Sequence, residues 1–450
     1  MLARFSPMLL LLVALSARSQ TDSAPASDNS SSDTRMILPP VVSGIAYPTL
    51  TGAEQRSNYL NLDLHFSIGY LDNAYPGSGS PVSDITNIVR STLSIDRTSD
   101  RLHESLSYSP GFVFDEPTSQ LNQSTQNASL AFEYRLSPHV SVRAADTVSK
   151  TSSFFDQPQS SEIAVSGSPQ SITPGIIAPF AEEVTNTASV EAAWQFSLTN
   201  MIGAAGSAGL LDFPNPAQAT GLYNSTSRGA SGFYVHRLTA GQYLGANLQY
   251  SIELASPQGI NSTVQTAAPM LFYSVYITPT FTFSLSGGPQ YSSIAATSVA
   301  SEHAWSPSGV ASIAWQGQRT NLTASYNRTV TSGGGLIGAF QSSSAALGAR
   351  WQAGRTWTLA GGANYAVNKN ITPASSGSAP ALPIFEAYSG GRTISGSASL
   401  EHRMGNRLAL ALTYARLHQK YPGVAAISAS PNSDQILVSL SYAFSRPLGR

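Results

Sequence analysis

From about Asn58 to the C-terminus, apolar and polar residues alternate with a period of two, in runs of roughly 10 to 14 residues. In the first run Leu60, Leu62, Leu64, Phe66, Ile68 and Tyr70 share one parity, and Asn61, Asp63, His65, Ser67 and Gly69 the other. The last run sets Ile436, Val438, Leu440, Tyr442 and Phe444 against Leu437, Ser439, Ser441, Ala443 and Ser445. Between them lie Leu130-Phe132-Tyr134-Leu136, Val190-Ala192-Trp194-Phe196-Leu198, Leu244-Ala246-Leu248-Tyr250-Ile252 and Leu408-Leu410-Leu412-Tyr414. Successive side chains of a strand point to opposite faces, so each run predicts a strand with one apolar and one polar environment.

The connections alternate in length. Short turns are predicted at about 98–101, 137–139, 199–200, 239–242, 278–280, 317–320, 352–356 and 404–407, with Pro, Gly or Asn at several. Long polar loops are predicted at about 72–87, 110–125, 150–183, 212–226, 255–263, 291–305, 331–341, 368–390 and 418–433. Eight short turns and nine long loops give about 18 strands, with 16 also allowed, and leave both termini at the short-turn end.

Composition decides what encloses these strands. Charged residues are 11% of the 450 residues, against about 25% in an ordinary soluble domain, so something other than water covers much of the exterior. A propeller or sandwich would use shorter strands, and in a membrane an open sheet edge would leave backbone groups unpaired. The expected fold is therefore all-β: a single transmembrane up-and-down antiparallel β-barrel. Trp194, Trp315, Trp351 and Trp357 lie beside proposed short turns, and Tyr70, Tyr108, Tyr250, Tyr326, Tyr365 and Tyr414 near the long loops, as two interfacial aromatic belts would place them.

Arg4, the run Met8–Leu15 and Ala17-Arg18-Ser19 read as a secretory signal over 1–19. Residues 20–57, rich in Ser, Asp, Ala and Pro, read as a flexible periplasmic segment, 58–446 as the barrel and 447–450 as a short tail. The absence of Cys excludes disulfides and thiolate chemistry, and a net charge of −1 gives no electrostatic case for nucleic acid.

The inward parity is mostly Ser, Thr, Ala, Gly and Asn, as in Thr323, Ser325 and Asn327, in Thr358, Ala360, Gly362 and Asn364, and in Ser395, Ser397 and Ser399. Such a lining cannot fill a barrel of about 18 strands, so water must, unless loops fold in. Candidate lumen or constriction residues are Asp63, Arg90, Glu133, Arg135, Arg143, Glu191 and Glu401, with Asp96 as a further inward charge. Phe154, Phe155 and Asp156 join them if the longest loop constricts the pore. The pattern shows no ring of acids or bases and no inward aromatic track for stacking sugars. None of the seven histidines has metal-ligand spacing, and no catalytic, cofactor or metal site is expected. Only His303 with Glu302, and His418, offer a rim hydrolase any polar company.

The signal, the alternating strands and the terminal run Gln435–Phe444 together resemble Gram-negative outer-membrane β-barrels over about residues 58–446. More narrowly, Leu106-Ser107-Tyr108-Ser109-Pro110-Gly111-Phe112 and Tyr326-Asn327-Arg328-Thr329-Val330-Thr331-Ser332-Gly333-Gly334-Gly335-Leu336 are similar to an uncharacterised porin-like family. The resemblance implies an integral outer-membrane location with periplasmic termini, and membrane lipid and the outer-membrane assembly machinery as partners; it assigns no functional residues. Barrels of this class usually end on an aromatic residue, whereas Phe444 is followed by Ser445-Arg446-Pro447-Leu448-Gly449-Arg450; either the tail is tolerated or assembly differs. The expected function is a water-filled channel for passive diffusion of small hydrophilic solutes with weak charge selectivity. The alternatives are export or surface attachment of polysaccharide and, third, the rim hydrolase.

Overall fold

The computed structural model describes residues 58–73, 83–116, 122–151, 181–216, 219, 221–256, 261–278, 280–296, 299–331, 335–336, 338–371, 390–421 and 432–448. The signal segment 1–19, the segment 20–57, and Phe154, Phe155 and Asp156 lie outside the described residues.

The strands are β1 (Tyr59–Asp72), β2 (Asp84–Thr98), β3 (Leu102–Glu116), β4 (Gln123–Ser137), β5 (Val140–Thr151), β6 (Glu183–Gln195), β7 (Asn200–Asp212), β8 (Ser225–Thr239) and β9 (Gln242–Ala255). They continue with β10 (Ser262–Thr278), β11 (Phe281–Ala296), β12 (Val299–Gln316), β13 (Thr320–Thr331), β14 (Phe340–Ala353), β15 (Trp357–Asn370), β16 (Gly390–Met404), β17 (Leu408–Lys420) and β18 (Asn432–Pro447). Each pairs antiparallel with its sequence neighbours, and β1 pairs with β18, so one 18-stranded sheet closes on itself. The seam is in register from Tyr59↔Pro447 through Leu62↔Phe444 to Asp72↔Asp434. Closure matters because each backbone N–H or C=O left unpaired in hydrocarbon costs several kcal/mol.

Parity sorts the side chains as the sequence pattern predicts. Leu64, Phe66, Ile68 and Tyr70 on β1 are exposed on the outside, as are Leu408, Leu410, Leu412 and Tyr414 on β17 and Ile436, Val438 and Leu440 on β18. An exterior of this kind is stable only against hydrocarbon. The turn Met404-Gly405-Asn406-Arg407 is tight: Gly405 has φ 83°, a backbone conformation that favours glycine, while a Cβ there would meet nothing within 4 Å.

Two predicted long loops are largely strand. Segment 291–305 is polar enough to read as a loop, yet Ser292↔Ala304, Ser293↔His303 and Ile294↔Glu302 continue the β11–β12 ladder. Segment 110–125 likewise contains the pairs Gly111↔Thr125 and Phe112↔Ser124 of β3 and β4. Strands running on past the membrane need no apolar face, so alternation fades before the ladder ends. Consistently, the outer tyrosines sit below the strand ends: Tyr365 is on a strand that continues to Asn370, and Tyr326 on one that continues to Thr331.

Among the wall's departures from regularity, two involve the strands from β10 to β13. The β10–β11 ladder is interrupted between Ala267↔Tyr291 and Leu271↔Gly287, where the register sets Pro269 opposite Pro289. Neither proline has an N–H to donate, so reciprocal bonding cannot occur at that pair. In addition, the β12–β13 ladder stops at Gly309↔Arg328. Above it, the side chain of Gln290 on β11 takes over: Val330 N–H donates to Gln290 Oε1 (2.8 Å), and Gln290 Nε2 donates to Val330 C=O (3.2 Å).

Candidate functional site: the lumen and its long-loop mouth

The inward positions of β4, β5 and β6 carry the clearest charged cluster. Glu133 faces Arg143 across β4–β5, and Arg143 faces Glu191 across β5–β6. Both glutamates are buried, and Arg135 Nε lies 4.0 Å from Glu133 Oε1. The fold thus brings together Glu133, Arg135, Arg143 and Glu191 from three strands. The other predicted lumen charges stand apart from them. Asp63 faces Thr92 and Ala443. Arg90 faces His65 and Gly111. Glu401 accepts a hydrogen bond from Arg403 Nε (3.1 Å).

The register also shows a gathering of acids that the sequence reading does not find. Asp84, Asp115, Glu183, Glu253 and Glu302 all fall on inward positions near the long-loop ends of β2, β3, β6, β9 and β12. They come from five separate strands, so no local motif reveals them. Thr86 Oγ1 donates to Asp115 Oδ1 (2.8 Å), which orients one of these carboxylates.

A second correction concerns aromatic rings. Phe233, Tyr243, Phe272 and Tyr276 point inward, where the sequence reading expects no aromatic track. Phe233, Tyr243 and Phe272 are buried with Met201, Val235, Met270 and Val310, so the inner wall from β7 to β12 has an apolar patch. Neighbouring glycines make room for it: a Cβ on Gly203 would strike the Phe233 ring, and one on Gly245 the Phe272 ring. Asn247 sits within this patch, 4% exposed, with neither side-chain amide atom hydrogen-bonded. The opposite inner wall, from β13 to β18, keeps the small polar lining that the parity predicts.

At the long-loop end, connections fold over the bore. Phe213 and Leu222, between β7 and β8, pack in one buried cluster with Leu336, Phe340 and Tyr421. The Tyr223 N–H donates to the Gly335 carbonyl (2.8 Å), tying the β7–β8 connection to the β13–β14 connection six strands away. Tyr421, just past β17, is buried, and its hydroxyl accepts from Asn368 Nδ2 (2.8 Å) and shares a bond with Thr393 Oγ1 (3.0 Å). Burial pushes the Tyr421 hydroxyl pKa above its ordinary value, so it stays protonated. Beside this cluster Val330 and Ala339 pack on the inward Val264 and Ile294. A mouth constriction therefore exists among the described residues: Ala181, at the far end of the predicted 150–183 loop, joins the residues of the β7–β8 and β13–β14 connections in it, whereas Phe154, Phe155 and Asp156 lie outside the described residues. Its signal was present as apolar residues in otherwise polar loops, Phe213 and Leu336 among them.

The proposed rim pair is not assembled. Glu302 and His303 are adjacent in a strand and so point to opposite faces; His303 is outside, its Nδ1 2.8 Å from the Tyr291 hydroxyl. His418 is also outside, its Nδ1 2.7 Å from Asn432 Oδ1. Among the described residues no group of three side chains could hold a metal ion.

No family model matches the chain, and no curated protein matches it. Among solved structures the chain is similar to the ferric citrate transporter FecA in its unliganded form, at 11% identity over 90% of this chain and 82% of that one, with a TM-score of 0.42. It is also similar to OccK2 of Pseudomonas aeruginosa, at 10% identity over 86% of this chain and 98% of that one, with a TM-score of 0.42. A bacterial polysaccharide outer-membrane secretin matches at 10% identity over 87% of this chain and 100% of that one, with a TM-score of 0.34.

Proposed function

We propose that the protein is an outer-membrane channel for passive diffusion of small hydrophilic solutes, with cations favoured over anions. The termini would then be periplasmic and the loop-narrowed mouth outside. The observation that carries this reading is the small, polar inner wall from β13 to β18, including Thr323, Ser325, Asn327, Asn364, Ser395, Ser397 and Ser399. A wall of short polar side chains leaves space that water occupies and offers no strong hold on a solute. The five inward acids near the long-loop mouth support the cation preference, because they raise the local concentration of cations where solutes enter.

The glycan alternative would be favoured by exposed inward rings, and Phe233, Tyr243 and Phe272 are buried in the wall patch. The test is planar-bilayer recording of the purified full chain across a potassium chloride gradient. Discrete conductance steps with a cation-selective reversal potential are expected. Silence across many insertions would overturn the channel; steps with an anion-selective reversal potential would overturn the role given to the acids.

A further inference from the structure

The outer face of the barrel near the long-loop end carries cations that the channel reading does not use. Arg392 on β16 lies directly opposite Lys420 on β17. Lys369 on β15 faces Gly390, two residues from Arg392 along β16. All three side chains are exposed, and none has an ion-pair partner among the described residues. The one described carboxylate on the outer face of β14 to β18, Asp434, is already engaged. Tyr414 donates to it at 2.6 Å, and Arg416 Nε lies 3.8 Å from it. Like charges directly opposite one another across two strands destabilise the pairing unless an anion neutralises them.

We infer that Lys369, Arg392 and Lys420 form a binding site for the phosphate of an anionic lipid headgroup. The position selects a lipid over a free anion. On the same outer face, Tyr365, Ile394 and Tyr414 are exposed toward hydrocarbon. Lys369, Arg392 and Lys420 follow them on the same strands in the direction of the long loops, which sets the cations at headgroup depth. Within the sector from β14 to β18 the outer face near the long-loop end is mainly cationic. Toward the long-loop end the inward acids Asp84, Asp115, Glu183, Glu253 and Glu302 repel anions from the bore, while these cations attract them on the outside. A headgroup already anchored beside the barrel meets the three cations without crossing solvent.

The experiment uses the full chain, refolded in detergent and titrated with phosphatidylglycerol, with phosphatidylcholine as the zwitterionic control. Bound lipid is counted by native mass spectrometry. The variant Lys369→Gln/Arg392→Gln/Lys420→Gln should bind phosphatidylglycerol about tenfold more weakly than the parent, and phosphatidylcholine equally. Lys369→Arg/Lys420→Arg keeps the charges and should bind as the parent does. Heat-modifiable gel migration verifies that every variant is folded, and the substituted positions lie on the outer surface, where truncation leaves no cavity. Undiminished phosphatidylglycerol binding by the neutral variant would overturn the site. Displacement of the lipid by an equal concentration of inorganic phosphate would overturn the choice of a lipid as its occupant. Bilayer conductance is read separately, so loss of the channel and loss of the lipid site are distinct results.

Discussion

Tyr421 secures the mouth through its hydroxyl as well as its bulk. Removing the hydroxyl leaves Asn368 Nδ2 and Thr393 Oγ1 short of a partner in a buried setting. Tyr421→Phe should cost about 1–3 kcal/mol locally. Single-channel records should then show more frequent transitions to higher conductance, with an unchanged melting profile of the whole barrel. Other assignments at this scale are legible from parity alone: counting residues along the strands puts Asp63, Glu133, Arg143 and Glu191 on the inward face. Parity gives no guidance where the strand itself is not recognised. Glu302 and His303 look like companions if 291–305 is a loop, and are separated by the wall once it is a hairpin. The acids near the mouth were hidden for a different reason, since register between strands, and not sequence within one, brings them to a common rim.

The element-scale lesson is that a barrel's connections are harder to read than its strands. Strand alternation is imposed residue by residue by hydrocarbon, whereas a loop's fold depends on which other loop it meets. The β7–β8 and β13–β14 connections find each other through Phe213, Leu222 and Leu336, and nothing periodic announces that encounter. Leu336→Ser removes an apolar side chain from the cluster without touching a strand. It should raise single-channel conductance in planar bilayers, while urea unfolding of the barrel shifts by less than about 1 kcal/mol. An unchanged conductance would mean that this cluster does not limit flow.

Across the whole molecule, closure is what makes the other features meaningful. Because β1 meets β18 along its full length, inside and outside are separate environments, and the same strand can carry Arg392 toward lipid and Thr393 toward the bore. Low charge, period-two runs and alternating connection lengths were sufficient to anticipate this cylinder and its strand number. They could not reveal that one side of the inner wall is apolar, since Phe233 and Phe272 depend on glycines in neighbouring strands, Gly203 and Gly245, for their space. The wall is not uniformly stitched, however, and the facing prolines of β10 and β11 give it a mechanical character. If the chain is hauled out of a bilayer by a cantilever attached at its C-terminus, each hairpin should yield in turn, and the force needed should follow the number of backbone bonds sheared. The hairpin containing Pro269 and Pro289 should part at a lower peak than the uninterrupted one formed by β14 and β15, so the force–extension trace would carry a dip that marks this seam.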